Sequence, residues 1–169
     1  MAAGPAGAGE PAARMTAAAG GEPAAGAVEV RWLGAPEELR GAFALRERVF
    51  HGEQGVPAEE EFDGLDEAAR HVVALAPGSG AVVGTLRLLV DGRAAKIGRV
   101  AVDREWRRRG IATRMLELGI AGARERGCVK VRLAAQVAAS EVYRQVGFAV
   151  ESGEFEEAGI PHVWMGLEL

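Results

Sequence analysis

The sequence predicts a mixed α/β (α+β) domain with a mostly antiparallel central sheet flanked by helices. Two observations carry this reading. Strand-like segments dominate the first half, at "HVVALA", "AVVGTLRLLV" and "AAKIGRVAV", separated by the turn signals "PGSG" and "DGR", so they read as an antiparallel meander. In the second half, Ala112, Met115, Leu116, Gly119, Ile120 and Ala123 follow the i, i+3, i+4, i+7 series of one helix face. Strand and short-helix segments then continue a β-α-β-α-β order.

With 169 residues and an ordinary apolar content, the chain is long enough for one domain with a real core. The Ala/Gly/Pro-rich opening, Met1 to Ala27, holds almost nothing large enough to bury and is expected to be a disordered tail. The domain is expected over Val28 to Leu169. A net charge of −4 argues against general nucleic-acid affinity. Cys128 is the only cysteine, so no disulfide framework or cysteine metal set is expected, and a reducing, cytoplasmic location fits. The opening lacks the features of a secretory signal, and no apolar run is long enough to span a bilayer.

Element by element, "VEVRWL" alternates like a half-buried strand. "PEELRGAFALRERVF" follows as a helix, with Pro36 suited to its first turn and Leu39, Phe43 and Val49 on its core side. "GEQGVPAEEEFDGLDEAAR" has neither period and predicts a long loop with a helical turn near Leu65. Gly127 stops the long helix, "CVKVRLAA" gives a strand, "ASEVYRQVGF" a short helix ended by Gly147, and "HVWMGLEL" a closing strand. Cys128, between a helix end and a buried strand with no paired histidine, reads as buried and inert.

The stretch "RVAVDREWRRRGIATRML" joins a strand to a helix through three arginines and a glycine. A helix start presents unpaired N–H groups and the positive end of the macrodipole, so such a turn is an anion site. Gly110 allows close backbone approach and Ala112 keeps the entrance open. The pattern Arg107-x-x-Gly110-x-Ala112 after "IGRVAV" resembles the acyl-CoA pyrophosphate loop of the GNAT superfamily of N-acetyltransferases. "LRERVFHGEQGVPAEEEFDGLDEAARHVVAL", "LAAQVAASEVYRQVGF" and "EEAGIPHVWM" extend the resemblance to its ElaA-like branch.

The three histidines and nearby acids lack metal-site spacing, so no metal is expected; the resemblance implies a sheet splayed after "IGRVAV", with acetyl-CoA as co-substrate in the wedge. Val100, Ala101 and Val102 would run beside the pantetheine arm, and the amides of Arg107, Arg108, Arg109, Gly110, Ile111, Ala112 and Thr113 would meet the diphosphate. Trp106 would cover a strand end. Tyr143, the only tyrosine, falls where the family carries the residue near the CoA sulfur and would be the general acid. Val142 stands where an aromatic is common. Glu53, Gln54, Glu61, Asp63, His71, Gln136 and His162 would lie on the acceptor side; Glu53 and His162 are candidate catalytic groups, with Glu61, Asp63, Asp66 or a water chain as other sources of a base. His51 gives no signal.

The expected reaction is transfer of an acetyl group to a primary amine of a small molecule or peptide, by direct attack in a ternary complex. Two alternatives stand beside it. "RERVF" followed by "EFDGLD" also resembles acyl-homoserine-lactone synthases, and a non-catalytic acetyl-CoA-binding module would use the same loop. The resemblance also implies a homodimer joined through the late strands.

Overall fold

A computed structural model describes residues 27–169; apart from Ala27, the expected tail lies outside the described residues. Strand β1 (Glu29–Trp32) buries Val30 and Trp32 on alternate positions. Helix α1 (Pro36–Arg46) begins with proline in its first turn, and the Glu38 carboxylate accepts hydrogen bonds from the Gly34 and Ala35 amides at 2.8 and 3.3 Å. That carboxylate thus satisfies donors that precede the helix. The helix then widens into one long π-helical stretch, Glu47–Glu53, where the Gln54 amide bonds the Val49 carbonyl at 3.2 Å.

The sheet has the order β1-β2-β3-β4-β5-β8-β6, with β7 pairing β8. Strands β2 (Arg70–Leu75), β3 (Val82–Asp91) and β4 (Ala94–Val102) form the antiparallel meander. Beyond it lie β5 (Lys130–Gln136), β6 (Ala149–Val150), β7 (Phe155–Glu157) and β8 (Ile160–Glu168). Helices α3 (Ile111–Glu125) and α4 (Ser140–Gln145) complete the fold, after a one-turn α2 (Ala58–Glu61).

Alternation along β2 sends Val72 and Ala74 into the main core with α3, while Val73 and Leu75 meet Ala42 of α1 on the opposite face. Two glycines set how closely α3 approaches the sheet. A Cβ on Gly84 would lie 3.1 Å from both Ile111 and Met115, and one on Gly122 would collide with the Trp32 indole.

Three expectations change. The core side of α1 and its extension is Ala42, Leu45, Arg46 and Val49, because Leu39 and Phe43 are only half-buried. The loop's helical segment is Ala58–Glu61, started by Pro57 in extended geometry, and 66–68 form only a turn. The short strands β6 and β7 escaped a reading based on period, since two or three residues show none.

Candidate active site

The site begins where two strands part. β4 and β5 pair in parallel only over Ala94–Lys96 and Lys130–Arg132, and beyond Lys96 a cleft of about 520 Å³ opens between them. A bulge shapes its β4 wall. Thr85 pairs with Ala101 and Arg87 with Gly98, so Arg99 and Val100 together oppose Leu86. Arg99 takes φ +53° there, a left-handed conformation uncommon for a side-chain-bearing residue. The extra residue leaves main-chain groups of this stretch out of the ladder.

At the end of β4, the chain passes through a 3₁₀ turn to the loop before α3. Arg108 at φ +60° and Gly110 at φ +74° bend it, and no side chain caps the helix. The first amides of α3 are therefore presented at its positive end. A Cβ on Gly110 would meet no atom within 4 Å, so the space over the loop is open to a ligand.

Nine of the residues expected in the site line the cleft: Val100, Ala101, Val102, Arg107 and Tyr143 on the cofactor side, and Gln54, Glu61, Gln136 and His162 on the acceptor side. Arg107 donates to the Val102 carbonyl at 2.9 Å and pairs with Glu53 at 2.7 Å. Glu53 is thereby committed to the loop. Arg108 and Arg109 are exposed, Arg109 lying over the Trp106 ring at 4.7 Å. Trp106 packs against the main core. Ile111, Ala112 and Thr113 form the first turn of α3.

The Tyr143 hydroxyl bonds no described residue, and burial pushes it up to about 12, so it stays protonated. His162 is 7% exposed, and its Nδ1 lies 2.7 Å from the Ile160 carbonyl. A carbonyl only accepts, so Nδ1 carries a proton and donates to it. The Phe155 ring stacks on it at 5.9 Å, and Nε2 stands 3.6 Å from the exposed Glu157 carboxylate.

Asp63, Asp66 and His71, expected near the acceptor, do not line the cleft. Asp63 grips Arg87 at 2.7 and 2.8 Å and Arg99 at 3.3 Å. Asp66 holds Arg46 at 2.7 Å and Arg87 at 3.2 Å. The hydrogen bond from Arg87 holds Asp63 well below the usual carboxylate range; Asp66 is lowered too, its burial outweighed by Arg46 and Arg87. His71 donates through Nε2 to the Asp66 carbonyl at 2.9 Å, and burial pushes it down, so it is neutral and structural.

This ionic network was missed in the sequence, although its signal is there: Arg46, Arg87 and Arg99 stand inside otherwise apolar, periodic segments. Arg46 and Arg87 are almost wholly buried and need carboxylate partners. Glu61, Asp63 and Asp66 supply them. Glu61, Asp63 and Asp66 are thus each compensated by arginines of α1, β3 and β4.

A splayed strand pair with a bulge, continued into an anion-binding helix start and facing a protonated tyrosine, defines a class of acyl-CoA-dependent acyltransferases. The chain belongs to the acetyltransferase (GNAT) domain family, which matches residues 38–169 and whose fold uses acetyl-CoA. It is 36% identical over 130 residues to the N-acetyltransferase YjcF of Bacillus subtilis, covering 76% of this chain and 91% of that one. Among solved structures, Escherichia coli ElaA superposes with a TM-score of 0.74 at 25% identity, over 84% of this chain and all of that one. An acyl-CoA N-acyltransferase of Pseudomonas aeruginosa gives 0.73 at 28% identity, over 83% and 99%.

Proposed function

We propose that the protein transfers an acetyl group from acetyl-CoA to a primary amine, with both substrates bound together in the cleft. The observation that carries this reading is that the bulged wall of β4, Arg107 of the open loop before α3, Tyr143 and His162 all line one continuous cleft. Amides of Arg107 through Thr113 hold the diphosphate, with the Arg107 and Arg108 side chains adding positive charge. The pantetheine arm runs beside Val100, Ala101 and Val102 as an added strand. The Val102 carbonyl already accepts from Arg107, which leaves one lone pair there for the arm.

The neutral amine attacks the thioester carbon, its nitrogen forming the new bond as the C–S bond breaks. A main-chain donor at the bulge stabilises the oxyanion. His162 Nε2 takes the proton the nitrogen sheds, and Tyr143 gives its proton to the departing thiolate. An ordinary thiol titrates near 8.5, some three to four units below this tyrosine. Tyr143 therefore acts first as a hydrogen-bond donor to sulfur, with proton transfer helped by the same scarcity of water that raises both groups. Glu53 orients Arg107. A reducing, cytoplasmic setting with no nucleic-acid partner suits this chemistry.

The test is calorimetric binding of CoA, followed by thiol release from acetyl-CoA with a panel of amines. Tight CoA binding and amine-dependent thiol release are expected. Absence of CoA binding would overturn the reading, and release unaffected by amines would replace it with a hydrolase or a sensor. Longer acyl-CoA donors in the same assay test the homoserine-lactone-type alternative.

A further inference from the structure

Lys96 lines the cleft at the last rung before β4 and β5 part, where it pairs in parallel register with Arg132. Ile97, Val131, Leu133, Val163 and Met165 belong to the core under α3. Alternation therefore puts Lys96, Arg132, Gln136, His162 and Trp164 together on the opposite face. There the Trp164 indole carries both cations, with Lys96 Nζ 5.3 Å and the Arg132 guanidinium carbon 4.8 Å from its ring centroid.

Like charges on neighbouring strands of one face repel, and the nearby carboxylates do not reach both. Glu151 accepts from Arg132 Nε at 3.2 Å and from Lys130 at 2.6 Å, and Glu168 stands 3.4 Å from Lys130. Lys96 has no hydrogen bond or ion pair with any described residue. The indole attracts its ammonium through the ring face but leaves its three N–H donors without an oxygen acceptor. Arg99 and Arg107, which also line the cleft, are by contrast each paired with a carboxylate.

We infer that Lys96 binds a carboxylate carried by the acceptor amine, with the Arg132 guanidinium beside it adding positive charge. This rests on the acetyl-transfer reading, in which the amine reacts near His162 and the bulge. Three residues of strand, roughly 10 Å, separate Lys96 from Arg99 at that bulge. A chain of several atoms thus joins amine to carboxylate, so the acceptor class is an ω-amino carboxylate rather than an α-amino acid reacting at its α-amine. One positive charge is left over among Lys96, Lys130, Arg132, Glu151 and Glu168, and a singly charged carboxylate balances it. Lys96 is a specificity-determining residue of the acceptor side.

The experiment titrates ε-aminocaproate, with aminohexanol as its neutral-ended control, into the full chain with and without saturating CoA, and follows binding by NMR without turnover. The carboxylate compound should bind at least about tenfold more tightly than the alcohol, and added salt should shrink the difference. Lys96→Met keeps an unbranched chain against the indole and removes the charge, so the preference should vanish. Lys96→Arg should keep it. Lys96 is exposed, so both variants should fold as the parent does. Equal affinity for the two compounds in the parent, or an undiminished preference in Lys96→Met, overturns the assignment. A Lys96-dependent preference in a chain that fails to bind CoA would uphold the carboxylate site and strike the acetyl-transfer reading instead.

Discussion

Gln54 and Gln136 hydrogen-bond each other through both halves of their amides, at 2.8 and 3.2 Å, joining the extension of α1 to the end of β5 across the opening. Each side chain satisfies the other's donor and acceptor, which an unlinked pair would leave to water. A double-mutant cycle with Gln54→Leu and Gln136→Leu in urea unfolding should show a coupling of about 0.5–1.5 kcal/mol. Additive losses would mean that the pair holds nothing together.

Gly110 takes φ +74° with nothing within 4 Å of an added Cβ. Gly110→Val should therefore cost about 1–2 kcal/mol through backbone strain alone. Its side chain would also fill the approach to the first amides of α3, so CoA should bind at least tenfold more weakly by calorimetry. Strain without loss of affinity would place the diphosphate elsewhere.

Tyr143→Phe keeps the edge-to-face packing against Phe148, at 6.3 Å between centroids, and removes only the hydroxyl. Turnover should fall by about 10² with CoA affinity nearly unchanged. In the parent, a hydroxyl pushed up to about 12 remains protonated throughout the neutral range. Its ionisation should accordingly leave no alkaline limb in kcat below about pH 10.

Asp63 and Asp66 are both held below their ordinary range by the arginines they grip. A lowered native pKa means that the unfolded chain takes up protons first as pH falls. The stabilisation is therefore complete above about pH 5 and is lost progressively below about pH 4. Urea midpoints measured from pH 7 to pH 2.5 should follow that course. Asp63→Asn should lower the neutral plateau and flatten the acid limb, whereas an unchanged acid limb would show that other groups govern acid unfolding.

The turn between β7 and β8 places Ala158 and Gly159 at φ +52° and +74°, between paired Glu157 and Ile160. Positive φ at both central positions is a type I′ turn, which asparagine or glycine enters more easily than alanine. Ala158→Asn should raise stability by about 0.5–1 kcal/mol, or about 1–4 °C in a domain of this size. Calorimetric melting checks this directly.

Elements whose signal is local were legible in the sequence. The α3 stripe from Met115 to Ala123, the turn at Gly92 and the stops at Gly127 and Gly147 depend on neighbours three or four residues away, or on one residue's φ. The glycine-containing loop before α3 was legible for the same reason, since Arg107, Gly110 and Ala112 lie within one turn, and Tyr143, singled out by its surrounding motif, lines the cleft. The tertiary structure alone decided which charges face a ligand. Arg46 meets Glu61 and Asp66 from 15 and 20 residues away, and Gln54 meets Gln136 across 82. From composition the segment containing Glu61, Asp63 and Asp66 reads as an exposed acidic loop; folding sets it over arginines from α1, β3 and β4, leaving Glu61 at the cleft. Coulombic pairing depends on distance in space and on exclusion of water, and neither is written in the order of residues.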